Sequence, residues 1–345
     1  MVCRAGFAGR GMTFARSTGG HTFASDTWGP LAEALLGTPT FTPLEVAREA
    51  GMEPAETRRL WRALGFPPVA DDERLFTRSD IEIVRAVRAL IESQSANADD
   101  LLQLTRVVGQ SLARVADAQV TVAAERLERL RAEAASDEAA LAELAARIQS
   151  LAPGLEQFLG YVWRRHLLAA LRRRSAKPSA ADRTLTIGFA DLVGFTPLSR
   201  ALAPRELAKI VDRFEGLAYE HILERGGRVV KMIGDEVMFA VDAGAYAADI
   251  AVALVEAHAR DAEVPDVRVG LASGPTLSWE GDLYGPTVNL ASRLVSFARP
   301  NTTLISSELG EQLRDDPRFD LRHLRPVNLQ GIGRVRPWAL RRARA

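Results

Sequence analysis

Three short segments in the second half of the chain carry side chains suited to holding a cation, reading a base edge and stabilising a charged phosphoryl group. The first is Gly188-Phe189-Ala190-Asp191-Leu192-Val193-Gly194-Phe195-Thr196, the second Lys231-Met232-Ile233-Gly234-Asp235-Glu236, the third Asp282-Leu283-Tyr284-Gly285-Pro286-Thr287-Val288-Asn289-Leu290-Ala291-Ser292-Arg293. Asp191 ends an apolar run and Asp235 follows a turn glycine, so both present carboxylate oxygen, the donor hard cations prefer. Either aspartate taken alone reads equally well as a solvated turn residue. Lys231 offers a donor and Asp282 an acceptor, the complement of adenine's ring nitrogen and exocyclic amine. Their bland alternatives are an exposed strand lysine and a loop carboxylate. Asn289 and Arg293 stand four residues apart, on one face of a helix, where they also read as a helix-start residue and a surface charge.

The elements that must position these groups follow from the surrounding pattern. Thr184–Ala190 reads as a buried strand, Pro204–Glu224 as a helix with Leu207, Ile210, Val211 and Phe214 inward. Gly226-Gly227 and then Gly234 turn the chain through two strands, Val229–Met232 and Val237–Val241, which form a hairpin. A helix at Ala245–Ala259, a strand at Val267–Ala272, a helix from about Pro286 and a strand at Thr303–Ile305 complete the pattern. The βαββαβ alternation predicts an α/β fold, an α+β sandwich with a ferredoxin-like core.

The first half reads as all-α. Residues 1–30, rich in Gly, Ser, Thr and Arg without a signal peptide's apolar centre, read as a disordered tail or as residues ahead of the true start. Residues 31–95 form short helices: Thr42 and Glu45 have capping-box spacing ahead of Leu44, Val46, Ala47 and Ala50, and Gly51 ends that helix. A second helix runs from Pro54 through Leu64. A loop with Asp71, Asp72 and Glu73 follows, then a helix from Thr77 with Ile81, Val84, Val87 and Leu90 on one face. This order resembles a MerR-type helix-turn-helix. Residues 96–183 are a helical segment and linker, interrupted at Pro153-Gly154, with Leu127, Leu130, Leu141 and Leu144 packing helix on helix and Pro178 in the linker.

The 345 residues suit two domains, and 47% hydrophobic with 26% charged content is ordinary for a globular chain. Zero formal net charge removes any global electrostatic case for nucleic acid or an acidic membrane. The single cysteine, Cys3, excludes an internal disulfide framework and cysteine zinc sites, and fits a cytoplasmic setting. No apolar run is long enough to span a bilayer.

In order and local wording the three segments resemble the class III nucleotidyl cyclases of adenylate type. The resemblance implies a catalytic domain over residues 184–345 that converts ATP to 3′,5′-cyclic AMP and pyrophosphate. It implies two cations, Mg2+ or Mn2+, on Asp191 and Asp235. The stretch through Phe195 and Thr196 then receives the phosphates, Lys231 and Asp282 select adenine, Asn289 orients the ribose and Arg293 stabilises charge on the α-phosphoryl group. Guanylate cyclases typically carry other residue types at the two base-reading positions. The family's C-terminal lysine is missing from Val327–Arg334, where Arg334 or Arg336 is the available substitute. In this family one chain brings the metal carboxylates and another the groups matching Lys231, Asp282, Asn289 and Arg293; both sets occur here, so the resemblance implies a homodimer.

The resemblance extends to soluble actinobacterial cyclases with N-terminal helical regulatory domains, some of them pH-responsive. Residues 31–175 would then control the catalytic pair, Trp163–Arg174 would couple them, and His166 is a candidate titrating group. The rival reading is a DNA-binding regulator carrying a cyclase-like domain. Arg58, Arg59 and Arg62 favour it; Glu53, Glu56 and the acidic loop oppose it.

Overall fold

The computed structural model describes residues 29–93, 97–175 and 184–344. The expected tail over 1–30 lies almost wholly outside the described residues, as does most of the linker with Pro178. Internal contacts divide the chain into two compact units, Met1–Leu167 and Leu168–Ala345.

The first unit is helical: α1 (Gly29–Leu36), α2 (Pro43–Ala50), α3 (Pro54–Leu64), α4 (Arg78–Glu92), α5 (Ala98–Glu133) and α6 (Asp137–Ser175), the last running past the division. The capping box of α2 is formed: the Glu45 amide donates to Thr42 Oγ1 at 3.2 Å and the Thr42 amide to Glu45 Oε2 at 2.9 Å. Gly51 closes α2 in the left-handed region at φ 71°. Val46, Ala50, Leu60, Trp61, Ile81 and Val84 make the core of α2–α4. Leu90, expected on the inner face of α4, is 49% exposed, and Leu44 is exposed as well.

The expected interruption at Pro153-Gly154 is corrected. Pro153 lies inside α6, and the break falls at residues 134–136. There Ser136 caps the next helix, its Oγ accepting from the Ala139 amide at 3.2 Å, and Asp137 and Glu138 occupy the first turn. The capping chemistry outweighed the proline as a stop signal. Leu127, Leu130, Ala140 and Leu144 pack together, with Leu141 beside them.

The second unit contains β1 (Thr184–Leu192), α7 (Phe195–Ala201), α8 (Pro204–Glu224), β2 (Arg228–Ile233), β3 (Glu236–Val241), α9 (Gly244–His258), β4 (Val267–Pro275), β5 (Leu277–Trp279), β6 (Asp282–Tyr284), α10 (Pro286–Phe297), β7 (Thr303–Ile305), α11 (Ser307–Gln312), β8 (Phe319–His323), β9 (Val327–Leu329), β10 (Gly333–Val335) and β11 (Trp338–Arg342). Seven strands form one sheet in the order β2-β3-β1-β4-β7-β11-β8. Within it β2, β3, β1 and β4 pair antiparallel, and β4 pairs parallel with β7. This is the expected ferredoxin-like βαββαβ core, extended at one side.

Period-two alternation assigns the two faces. Ala190, Leu192, Val237, Phe239, Val267 and Val269 point into a core shared with Phe214 and Ile222 of α8 and Ile250 and Leu254 of α9. Leu185, Ile187, Phe189, Met238, Ala240 and Ala272 point the other way, against Ala291 and Val295 of α10. Gly270 lets α10 lie directly on β4, because a Cβ there would stand 2.3 Å from the Val295 amide nitrogen and 2.5 Å from the Ala291 carbonyl oxygen.

Candidate active site

Asp191 is the penultimate residue of β1. Its cross-strand partners are Glu236 on β3 and Arg268 on β4, which makes a row of three charged residues across the sheet. The alternation that sends Leu185, Ile187 and Phe189 toward α10 carries Asp191 to the same face. Glu236 follows by parity with Met238 and Ala240, and Arg268 with Ala272. Arg268 Nε and Nη2 donate to Asp191 Oδ2 at 2.7 and 2.6 Å, and Nη1 donates to the Ser296 carbonyl of α10 at 3.2 Å.

Asp235 lies beside this row. Ile233 pairs with Glu236, so Gly234 and Asp235 are the two turn residues of the β2–β3 hairpin, with Gly234 at φ 63°. The Asp235 carbonyl accepts the Leu192 amide at 3.1 Å, which holds the turn against the end of β1. Burial first, then the charge of Asp191, raises the Asp235 carboxyl above its usual range. Burial, Asp191 and Asp235 together push Glu236 to about 7. Three acids against one guanidinium leave the bay short of positive charge, and every available donor is a hard oxygen. A divalent cation of the Mg2+ or Mn2+ type fits that demand. The three acids of the bay are not drawn within 4.8 Å of one another; among the described residues that closeness is met by Glu220, His221 and Glu224 on α8. There the Arg225 guanidinium already occupies the cation's place, 3.3 Å from both His221 Nδ1 and Glu224 Oε2.

The chain then turns from β1 into α7. The Leu192 and Val193 amides are committed to the Asp235 and Asp266 carbonyls, so they do not belong to the expected phosphate cradle. The first-turn amides of Phe195 and Thr196 lack intrahelical acceptors by the geometry of a helix start. Phe195 packs against the core on the α8–α9 side, and Thr196 is exposed.

Lys231 reaches the α10 face through a bulge. The register jumps between Val229 and Lys231, so Lys231 opposes Met238, a residue of the α10-side cluster. Its Nζ donates to Oδ2 of Asp282 on β6, while Asp282 Oδ1 accepts the Leu283 amide at 2.8 Å. Donor and acceptor thus stand side by side. At 37% and 23% side-chain exposure the pair itself contributes little stability. Asn289 and Arg293 are both exposed on α10, whose other face buries Ala291, Leu294 and Val295. Arg334 and Arg336 are exposed, the first on β10.

The structure brings Asp191 and Asp235 together, pairs Lys231 with Asp282, and holds Asn289 and Arg293 outward on one helix. Two residues of the bay escaped sequence reading as site groups. Glu236 stood inside a quoted motif. Arg268 is the charged residue at the head of an apolar strand, a signal that gains meaning only once β4 is known to lie beside β1.

Residues 178–342 match the family model described as the adenylate and guanylate cyclase catalytic domain, and residues 28–174 the one described as the adenylate cyclase regulatory domain. A Streptomyces coelicolor protein described as adenylate cyclase is 36% identical over 332 residues, covering 88% of this chain and 86% of that one. A Glutamicibacter nicotianae protein of the same description is 35% identical over 333 residues, covering 91% and 82%. A Mycobacterium tuberculosis protein described as a pH-sensitive adenylate cyclase is 31% identical over 308 residues, covering 86% and 77%.

Proposed function

Because this chain belongs to the adenylate and guanylate cyclase family, we propose that it converts ATP to 3′,5′-cyclic AMP and pyrophosphate in a homodimer. The observation that carries the choice of ATP is the Lys231–Asp282 pair, a donor on β2 beside an acceptor on β6. Adenine's edge asks for that combination, and guanine's edge presents the opposite one.

The ribose 3′-oxygen attacks the α-phosphorus, a P–O bond closes the ring, and the bond to the bridging oxygen of the β-phosphate breaks. Pyrophosphate leaves with that electron pair, and the hydroxyl proton passes to solvent. Asp191 and Asp235 would hold two divalent cations, Mg2+ or Mn2+, which when bound supply positive charge at the attacking and leaving oxygens. Arg268 holds Asp191 in place. Asn289 orients the ribose, and Arg293 places fixed planar donors on the α-phosphoryl oxygens. Phe195 and Thr196 present amides to the outer phosphates, and Arg334 or Arg336 takes the role of the missing lysine.

The exposure of Asn289 and Arg293 supports an arrangement in which they serve the acids of a second copy. Two-fold symmetry then builds two equivalent sites. Residues 184–345 are the catalytic domain of this reading. Residues 31–95 and 96–183 regulate it in the cytoplasm, and no helix among the described residues is long and apolar enough to cross a membrane. His166, exposed on α6, is the candidate for pH response. Against the DNA-binding alternative, Arg58 and Arg59 each stand beside a carboxylate, Asp71 and Asp99, at 3.0 Å.

The deciding experiment supplies purified protein with ATP or GTP and Mn2+, beside Asp235→Ala. Cyclic AMP from the parent and none from the variant is expected. Cyclic GMP as the main product overturns the adenine assignment. Comparing the full chain with residues 178–345 over about pH 5.5–8 tests the regulatory half; identical profiles remove it.

A further inference from the structure

The β5–β6 hairpin sets Asp282 on an aromatic face. Leu277, Ser278 and Trp279 pair in turn with Tyr284, Leu283 and Asp282. Directly opposed residues point to one side of a two-stranded ribbon, so Leu277, Trp279, Asp282 and Tyr284 share a face. Ser278 and Leu283 take the other, where Leu283 is buried in the cluster beneath α10. The first face is open: Leu277 and Tyr284 are exposed, and Trp279 is 53% exposed. The turn fixes the indole beside the acid. Glu280 and Gly281 stand at φ 51° and 81°, the left-handed pair of a two-residue hairpin, and Trp279 and Asp282 close it. Opposed Cβ atoms in such a pair lie about 4.5–5.5 Å apart. Asp282 is held in turn, since Oδ2 accepts from Lys231 Nζ and Oδ1 accepts the Leu283 amide. A base read at its edge by Lys231 and Asp282 still has two apolar faces to cover. An indole opposite Asp282 offers a planar partner of matching size, and it keeps water from the hydrogen bonds at the edge.

We propose that Trp279 is a base-stacking residue, its indole covering one face of the purine whose edge Lys231 and Asp282 read. This rests on the reading of that pair as the base-selecting groups. Every base has a π face, so stacking tolerates any of them. Trp279 therefore adds affinity for the nucleotide without choosing it, and the choice stays with Lys231 and Asp282.

The test is steady-state kinetics of the full-length protein with Mn2+-ATP, comparing parent, Trp279→Ala and Trp279→Phe, with assembly mass and melting temperature measured for each. Trp279→Ala is expected to raise KM about tenfold with kcat nearly kept, and Trp279→Phe to recover most of that loss. The preference for ATP over GTP should stay at the parent's value in both, because stacking reads no edge. A second readout needs no turnover: 3′-deoxy-ATP, which lacks the attacking hydroxyl, should quench indole emission in the parent. The chain has five tryptophans, so the quench is assigned by difference, and Trp279→Phe should remove most of it. A parent that makes cyclic AMP, beside a Trp279→Ala enzyme of unchanged KM, overturns the stacking and leaves the proposed function standing. A quench that survives Trp279→Phe overturns it too. A Trp279→Ala loss that follows a fall in assembly mass also overturns it, and assigns the indole to a contact between copies. A parent that neither turns over ATP nor is quenched by 3′-deoxy-ATP overturns both the stacking and the proposed function.

Discussion

Two guanidinium nitrogens of Arg268 converge on a single carboxylate oxygen of Asp191, at 2.7 and 2.6 Å. The third nitrogen is anchored on the Ser296 carbonyl. Arg268 therefore fixes the rotamer of Asp191 and ties β1 to the last turn of α10. On the proposed mechanism Arg268→Ala leaves Asp191 free to swing, and cyclase kcat/KM should fall about ten- to a hundredfold. Arg268→Lys supplies a point charge without the fork and should recover only part of that loss. Steady-state kinetics with Mn2+-ATP checks both; an unchanged Arg268→Ala enzyme removes the positioning role.

Arg293 is exposed on α10 and makes no ion pair among the described residues. Arg293→Ala should lower kcat by about a hundredfold, the effect of losing one preorganised donor. Because the proposed site draws on two copies, mixing inactive Arg293→Ala with inactive Asp235→Ala should restore activity. Random pairing makes about half the dimers mixed, each with one intact site of two, so recovery should approach about a quarter of the parent value. No recovery after verified subunit exchange would dismiss the shared-site arrangement.

His258 closes α9 inside the catalytic core. Its Nδ1 bonds the Leu254 carbonyl at 2.8 Å, its ring meets Phe214 edge-on at 5.8 Å, and Nε2 is buried without a partner. Burial holds its pKa below the usual histidine value, against the opposing influence of the Leu254 carbonyl and Asp261. The neutral form is thus the folded one. The unfolded chain takes up a proton near about pH 6.5 that the folded chain refuses, so this stability is present above that pH and lost as pH falls below it. The melting temperature of the parent should drop between about pH 7.5 and 5.5, and His258→Gln should flatten that slope. Equal slopes in thermal melts would assign the acid limb to other groups.

Gly270 underlies α10. Any side chain there collides with helix backbone, which cannot rotate away as a side-chain tip can. Gly270→Val should cost about 1–3 kcal/mol or more by overpacking. It should also lower cyclase activity, because α10 carries Asn289 and Arg293. A variant with parent-like melting and activity would show that α10 is not seated as described.

The amino-acid sequence determined a good deal unaided. Strand and helix periods placed β1, the β2–β3 hairpin, α8, α9 and α10, since each is carried by a local apolar period. The Thr42/Glu45 box and the helices around Gly51 were legible for the same reason. Chemistry carried by contiguous motifs, at Asp191, Lys231, Asp235, Asp282, Asn289 and Arg293, was visible as residue types. Where two stop signals competed, at Pro153 and at Ser136, local reading chose wrongly.

Tertiary structure alone decided what each charge faces. Arg268 meets Asp191 across 77 positions of chain, and Lys231 meets Asp282 across 51. The bulge after Val229 turns Lys231 onto the α10 face, and a register with Glu236 opposite Asp191 crowds two acids together. Such relations come from strand order and register, which hydrogen-bonded pairing between distant segments sets and which no window of neighbouring residues contains.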